Sequence, residues 1–322
     1  VIRVRTVNLS QIATAFCGES KVASHYRRIQ RFFKDFAFTR AQIAALVVRL
    51  LPLGDRWVLC LDRTNWKLGA VNINILVLAV AYHGAAIPLF WMLLDKRGNS
   101  DTLERIALLK HFLVLFGRER IQCLTADREF IGKDWIKFLK RRRIRFRIRI
   151  RHNTKIPNAR GDCERSASRF FRNLPMGEVR QLPKPRRVWG LRVFVLGIRL
   201  KDEYLILITD HCPHTALPDY QQRWQIETVF GCLKSRGFDF EATHLTEPDR
   251  ISKLLALLTL AFCWCSRLGE YQHAQKPIPV KKHGRLAKSL FRYGLDLLRN
   301  IVLNLAVKEP EFSWATTFLS CT

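Results

Sequence analysis

The sequence predicts an α/β fold: a mixed sheet flanked by helices, with a β-rich insertion before a late helix and helical regions at both ends. Three observations carry that prediction. Several runs between residues 56 and 127 are apolar without a break, so no strand face is left for water. Helical patterns with start and stop signals alternate with those runs from residue 99 onward. Turn residues then become frequent between Pro157 and Pro218, around segments of strand composition.

In chain order, residues 7–36 read as short helices. Asn8 or Ser10 caps the first, and "KVASHYRRIQRFFKDF" spaces its apolar residues helically and keeps a basic face. Two readings fit it: a small DNA-binding module, or an amphipathic helix packed on the main domain. "RWVLCLD" (Arg56–Asp62), "INILVLAVAY" (Ile73–Tyr82) and "IPLFWMLL" (Ile87–Leu94) read as three strands, the last two joined by a turn at "HGAA". A helix follows, capped near Asn99 or Ser100 and stopped by Gly117. "IQCLTAD" (Ile121–Asp127) is a fourth strand and "KDWIKFLKRR" a helix. "RRRIRFRIRIR" (141–151) is a fifth strand, with arginine alternating with isoleucine or phenylalanine from Arg143 onward. The order is βββαβαβ.

"VWGLRVFVLGIRLKDEYLILITD" adds two strands, and "YQQRWQIETVFGCLKSRG" reads as one helix ended by Gly237. An apolar helix and a basic helical stretch close the chain. The expected regions are a helical N-terminal DNA-binding region (1–50), a catalytic core in two parts (51–156 and 218–270), a β-rich insertion between them (157–217), and a basic helical C-terminal region (271–322).

Composition narrows the partner. Lys+Arg number 55 against 27 Asp+Glu, a formal charge of +28. Cations at that excess repel one another unless a polyanion neutralises them. The longest apolar run, "LLALLTLAFCWC", is too short to span a bilayer, so nucleic acid and not membrane is the expected polyanion. Nine cysteines, mostly in apolar settings, read as reduced thiols of a cytoplasmic protein. "DHCPH" is the one Cys/His cluster and lacks a second ligand pair at zinc spacing. The chain opens at Val1 rather than Met, from which we expect residues before it.

Asp62 and Asp127 each close an apolar run, where α/β sheets gather their chemistry. Either alone reads more readily as a turn or cap residue. Together, paired carboxylates in a basic protein suit Mg²⁺, which binds hard oxygen ligands and leaves room for phosphate. On an ideal helix with Tyr220 at zero, Arg223, Glu227 and Lys234 fall at about 300°, 340° and 320°. One stripe thus carries a carboxylate, two cations and a phenol; an ordinary solvated Arg223–Glu227 pair is the competing explanation.

These residues carry a resemblance. "YQQRWQIETVFGCLK" fits Y-(2)-R-(3)-E-(6)-K through Tyr220, Arg223, Glu227 and Lys234, and resembles the signature of the insertion-sequence-4 family of bacterial DDE transposases. "LDRTNW" around Asp62 and "TADREF" around Asp127 resemble that family's first two acidic motifs, and Glu227 would be the third acid. The similarity covers roughly residues 55 to 270.

The resemblance implies an RNase H-like catalytic domain and Mg²⁺-dependent cut-and-paste transposition, through end nicking, hairpin formation and resolution, and strand transfer. Asp62, Asp127 and Glu227 would be catalytic and would hold two Mg²⁺ ions, with Mn²⁺ able to substitute. Double-stranded DNA, as inverted-repeat ends and target, would be the substrate, and a second copy of the chain would complete a dimer in a synaptic complex, in the bacterial cytoplasm at the nucleoid. Tyr220, Arg223 and Lys234 would contact DNA. Trp189 and Trp224 are the candidate platforms for a base that leaves the stack, although Trp189 reads more readily as packing in the insertion core. Arg145, Arg147, Arg149 and Arg151 would line a DNA channel from a strand at one side of the sheet. Two other readings remain: a structure-specific nuclease on the same fold, and an inactive DNA-binding remnant.

Overall fold

The computed structural model describes residues 1–68, 71–282 and 284–320. The chain divides into two compact units. Val1–Leu53, Asn65–Ile73 and Val229–Thr322 form one; Gly54–Thr64 and Asn74–Thr228 form the other.

The first unit begins with α1 (Leu9–Thr14), α2 (Val22–Asp35) and α3 (Arg40–Leu50). Asn8 caps α1, accepting from the amides of Ser10 and Gln11. Thr39 and Gln42 close a capping box on α3. On α2, His25, Ile29 and Phe33 form the buried stripe, at the spacing the sequence predicts.

The second unit is built on a sheet. In chain order its elements are β1 (Trp57–Leu68) and β2 (Val71–Tyr82), whose adjoining ends at Asn65–Ile73 belong to the first unit, then β3 (Ala85–Leu93), α4 (Thr102–Phe116), β4 (Ile121–Ala126), α5 (Lys133–Arg141) and β5 (Phe146–Ile150). This is the expected βββαβαβ order of a mixed sheet flanked by helices. The order across the sheet is β3-β2-β1-β4-β5, with β1, β4 and β5 parallel. Short strands β6 (Lys155–Pro157) and β7 (Glu164–Ser166) pair apart from it. The β-rich segment then extends the same sheet. Beyond β8 (Val179–Gln181) and β9 (Arg186–Val188), β10 (Leu191–Arg199) and β11 (Tyr204–Thr209) form a hairpin, and β11 runs antiparallel to β5.

Three sequence expectations change here. Asp62 does not end its strand: β1 continues to Leu68, because "RTNWKL" alternates, with Thr64 and Trp66 buried. The cap of α4 is Asp101, not Asn99 or Ser100, through a reciprocal box with Glu104; Ser100 instead bonds Arg105. The third concerns the arginine strand. It does not lie at one side of the sheet, since β4 and β11 flank it. All five residues of β5 are buried, so the arginine face is as covered as the isoleucine face.

Helix α6 (Ala216–Gln221) is what covers it. Arg147, 2% exposed, meets Asp219 of α6, with Nε 3.1 Å and Nη2 3.0 Å from Oδ2. It also donates to Thr209, Thr215 and the carbonyls of Phe146 and His211. Arg147 therefore fastens a helix to a strand and faces no DNA channel. Arg149 is also buried, Arg145 half-buried, and only Arg151 exposed.

After α6 the expected single helix breaks. Gln222 and Arg223 form a turn, and α7 runs Trp224–Leu233. The amides of Arg223, Gln225 and Ile226 bond carbonyls three residues back, a tightening that an ideal helical wheel does not anticipate.

The first unit resumes with α8 (Pro248–Gln275), α9 (Leu290–Leu303) and α10 (Glu309–Thr316). α8 has 28 residues, and an 18-residue window of it with mean hydropathy 1.5 is long and apolar enough to cross a membrane, a length the sequence reading understated; 61% of that window is buried, as in a core helix. Gly269 and Gly294 let α8 and α9 touch backbone to backbone, since a Cβ on either would overlap a carbonyl of the other helix. The eight described cysteines are free thiols, and Cys321 lies outside the described residues.

The Arg147–Asp219 pair yields a test. Arg147→Met leaves a buried carboxylate unpaired and should cost about 3–5 kcal/mol in urea denaturation. Adding Asp219→Leu should recover much of that loss. A single-variant cost below about 1 kcal/mol would show the pair to be dispensable.

Candidate active site

The register of the parallel pair creates the site. Leu61 of β1 pairs with Ala126 of β4, so the next residues, Asp62 and Asp127, emerge at one level on neighbouring strands. Asp62 accepts the backbone N–H of Arg63 at 2.8 Å. Its other oxygen takes Nη1 of Arg223 at 2.9 Å, and Nη2 of the same guanidinium reaches Oε1 of Glu227 at 2.8 Å. One cation thus touches two carboxylates 165 residues of chain apart (62 to 227). Asp127 accepts from the Tyr220 hydroxyl at 3.3 Å and lies 3.8 Å from Nη1 of Arg149.

The acids differ in surroundings. The Asp62 side chain is 15% exposed and that of Glu227 56%. Burial pushes the Asp62 carboxyl up to about 6, and the negative charges of Glu129 and Asp127 push the same way, against Arg223 and the Arg63 amide. Burial also holds the Tyr220 phenol well above its ordinary range, so it stays a protonated donor. The Cys60 thiol, two residues before Asp62, is raised by burial to about 12 and is no nucleophile at neutral pH.

Two of the expected DNA contacts are corrected. Tyr220 is fully buried and aims its hydroxyl at Asp127; Arg223 is 4% exposed and committed to Asp62 and Glu227. Both are positioned to orient the acids, because the turn at 222–223 carries them against the end of the sheet. Trp224 is 41% exposed, with the Arg223 guanidinium 5.9 Å from its ring centroid. Lys234 belongs to the other unit, where it pairs with Glu241 at 2.8 Å and stands 5.6 Å from the Trp66 ring.

Trp189 has a backbone that aromatic residues rarely adopt. With Gly190 it forms the two-residue tip between β9 and β10, at φ 50° and 79° respectively. Such a tip normally carries Asn-Gly or Asp-Gly. Half-buried, Trp189 is held strained at a hairpin tip.

The sequence reading missed the residues that brace the acids. Arg63 makes a two-pronged pair with Glu129, at 3.2 and 3.3 Å, and donates to Asn74 at 3.0 Å. Buried Arg105 bonds the carbonyls of Glu129 and Ile131, fixing the loop after Asp127. Arg63 and Glu129 adjoin the acids in "LDR" and "DRE", and that adjacency was the available signal. Arg149 meets Glu203 of the β10–β11 turn at 2.6 Å, and its buried Nε has no hydrogen-bond partner among the described residues.

Asp62, Asp127 and Glu227 each bring carboxylate oxygens, the donor type that hard divalent cations take. Among the described residues no three acidic, His or Cys side chains yet stand as a closed ligand cage, and Arg223 supplies the positive charge between two of the acids.

The Asp62 shift has a sign that can be measured. A carboxyl near 6 in the folded chain and about 3.9 in the unfolded chain binds its proton more tightly when folded. Its contribution to stability is therefore full below about pH 4, falls as pH rises towards 6, and stays lost above; two units correspond to about 3 kcal/mol. Asp62→Asn should remove this pH-dependent loss, gaining on the wild type between pH 4 and 6. Parallel stability–pH curves for the two proteins, measured without divalent ions, would refute the assignment.

A family model described as "Transposase DDE domain" matches residues 53–264, more than half of the chain. A comparison with curated proteins finds no match. Among solved structures, a piggyBac transposase synaptic complex with hairpin DNA, determined by cryo-EM, is similar at 15% identity and TM-score 0.42, over 83% of this chain and 53% of that one. The chain spans about half the length of that protein. The family match takes in Asp62, Asp127 and Glu227 alike, and the chain belongs to the transposase DDE domain family.

Proposed function

We propose that this chain is a transposase of the insertion-sequence-4 type, which cuts and rejoins DNA at terminal inverted repeats. The observation that carries the proposal is that strand register sets Asp62 beside Asp127 and that one guanidinium, Arg223, joins Asp62 to Glu227. Asp62, Asp127 and Glu227 would hold divalent ions, Mg²⁺ or Mn²⁺, which stabilise the attacking and leaving oxygens of a phosphodiester displacement when bound. The protein groups prepare that site. Tyr220 orients Asp127 by donating to it. Arg223 restrains Asp62 and draws the more exposed Glu227 towards it. Arg63 and Glu129 tie β1 to the loop after Asp127. No side-chain nucleophile is required, in keeping with the raised Tyr220 and Cys60.

Trp189 fits the role of base platform during hairpin formation, because strain is retained where a side chain has work at the tip. Arg149, at the Asp127 side of the site, is suited to a phosphate once Glu203 yields. Two copies of the chain would hold two ends together.

The deciding experiment incubates the protein with the DNA flanking its own gene and Mg²⁺. Hairpin-ended fragments and joined products are expected. Cutting without joining would favour a structure-specific nuclease, and binding without cutting an inactive remnant. Glu227→Gln should slow cleavage by about a thousandfold with DNA binding retained. Trp189→Asn should relieve the backbone and gain up to about 1 kcal/mol of stability, yet lose hairpin formation and keep nicking. Hairpins formed at the wild-type rate would remove Trp189 from the mechanism.

A further inference from the structure

The arginine run leaves one part unexplained. Arg147 and Arg149 are consumed inside the sheet, but the cations just before them are not. Residues 135–161 hold eleven Lys and Arg and no Asp or Glu. Where the leading cations go is set by α5. Trp135, Ile136 and Leu139 bury its inner side, which turns Lys137, Arg141 and Arg142 outward. There they meet Lys110 of α4 across a groove of about 640 Å³.

The groove is unusual in its charge. It has four cations and a single carboxylate, that of Asp134. None of the four cations forms an ion pair among the described residues, whereas Arg63, Arg147, Arg149 and Arg223 all do. Helix-end electrostatics accounts for part of this, since cations in the last turn of α5 complement its dipole. It does not account for Lys110 or Lys137, which stand in no last turn. Leu103, Ile106 and Phe138 are its apolar lining, and the Arg142 guanidinium lies 5.9 Å from the Phe138 ring centroid.

We propose that this α4–α5 groove binds the backbone of duplex DNA, as a contact separate from the catalytic acids. Spacing supports that partner. Lys137 and Arg141 are one helical turn apart, about 6 Å along α5. Phosphates on one strand advance about 3.4 Å each along the duplex axis while winding around it, so cations about 6 Å apart are at the spacing of neighbouring phosphates. Packed helices lie about 8–10 Å apart, which sets Lys110 beside that row. The contacts read charge and not base edges, so the groove holds DNA of any sequence. α5 starts six residues after Asp127 and runs away from it, so the groove engages duplex beyond the cut.

This inference rests on the proposed function for the identity of its partner, and the test separates the two. The full chain is titrated with a scrambled-sequence duplex at several salt concentrations. The triple variant Lys137→Gln, Arg141→Gln, Arg142→Gln is compared with a charge-matched control, Arg180→Gln, Lys184→Gln, Arg187→Gln, drawn from exposed positions elsewhere. The groove variant should lower the log–log salt slope by about two to three, and the control by less than one. Cleavage at saturating DNA should be unchanged in the groove variant. Equal slopes for both variants, or a slope equal to wild type, overturn the groove. A groove variant that loses slope in a protein that never cuts DNA sustains the groove and overturns the transposase reading.

Discussion

One guanidinium, that of Arg223, lies between Asp62 and Glu227, and the arrangement of the acids depends on it. Carboxylates gathered at the end of a sheet repel one another and are costly to bury. Asp62 registers that cost by holding its proton to an unusually high pH. A cation held rigidly between two acids offsets the repulsion, and an arginine does so with two separate N–H prongs. The break in the helix before α7 makes this possible. It lets Tyr220, Arg223 and Glu227 address Asp127 and Asp62, which a straight helix would present differently.

The remaining arginines divide by burial. Arg147 joins sheet to helix, Arg105 fixes the loop after Asp127, and Arg63 ties two acidic motifs together. Arg149 shares itself between Asp127 and Glu203. A net charge of +28 is thus not spread evenly as a solvated coat. Part of the arginine content is internal and neutralised, and part is external and unpaired. The external part is what a polyanion meets, and the internal part is what holds the acids still.

The chain order of strands and helices was legible in the sequence, and the three acids could be picked out there as candidates. Apolar continuity marks buried strands, and short motifs survive as contiguous words. The helical wheel was less reliable. It placed Tyr220, Arg223, Glu227 and Lys234 on one stripe by assuming an unbroken helix, and the turn at 222–223 breaks that assumption. Arg63, Glu129 and Arg105 escaped notice because a bracing role has no periodicity. Trp189 could be named but not interpreted, since a positive φ leaves no mark in composition.

The sequence by itself determined which residues carry charge, which segments must be buried and which acids could act together. These follow from local chemistry and from a period of two or of 3.6. Only the tertiary structure decided which cations are available. Arg147 and Arg141 are alike in composition and only six positions apart, yet one is sealed under α6 and the other open to solvent. Alternation along a strand tells which residues share a face, but not whether a helix lies on that face, because covering is settled by chain segments distant in sequence.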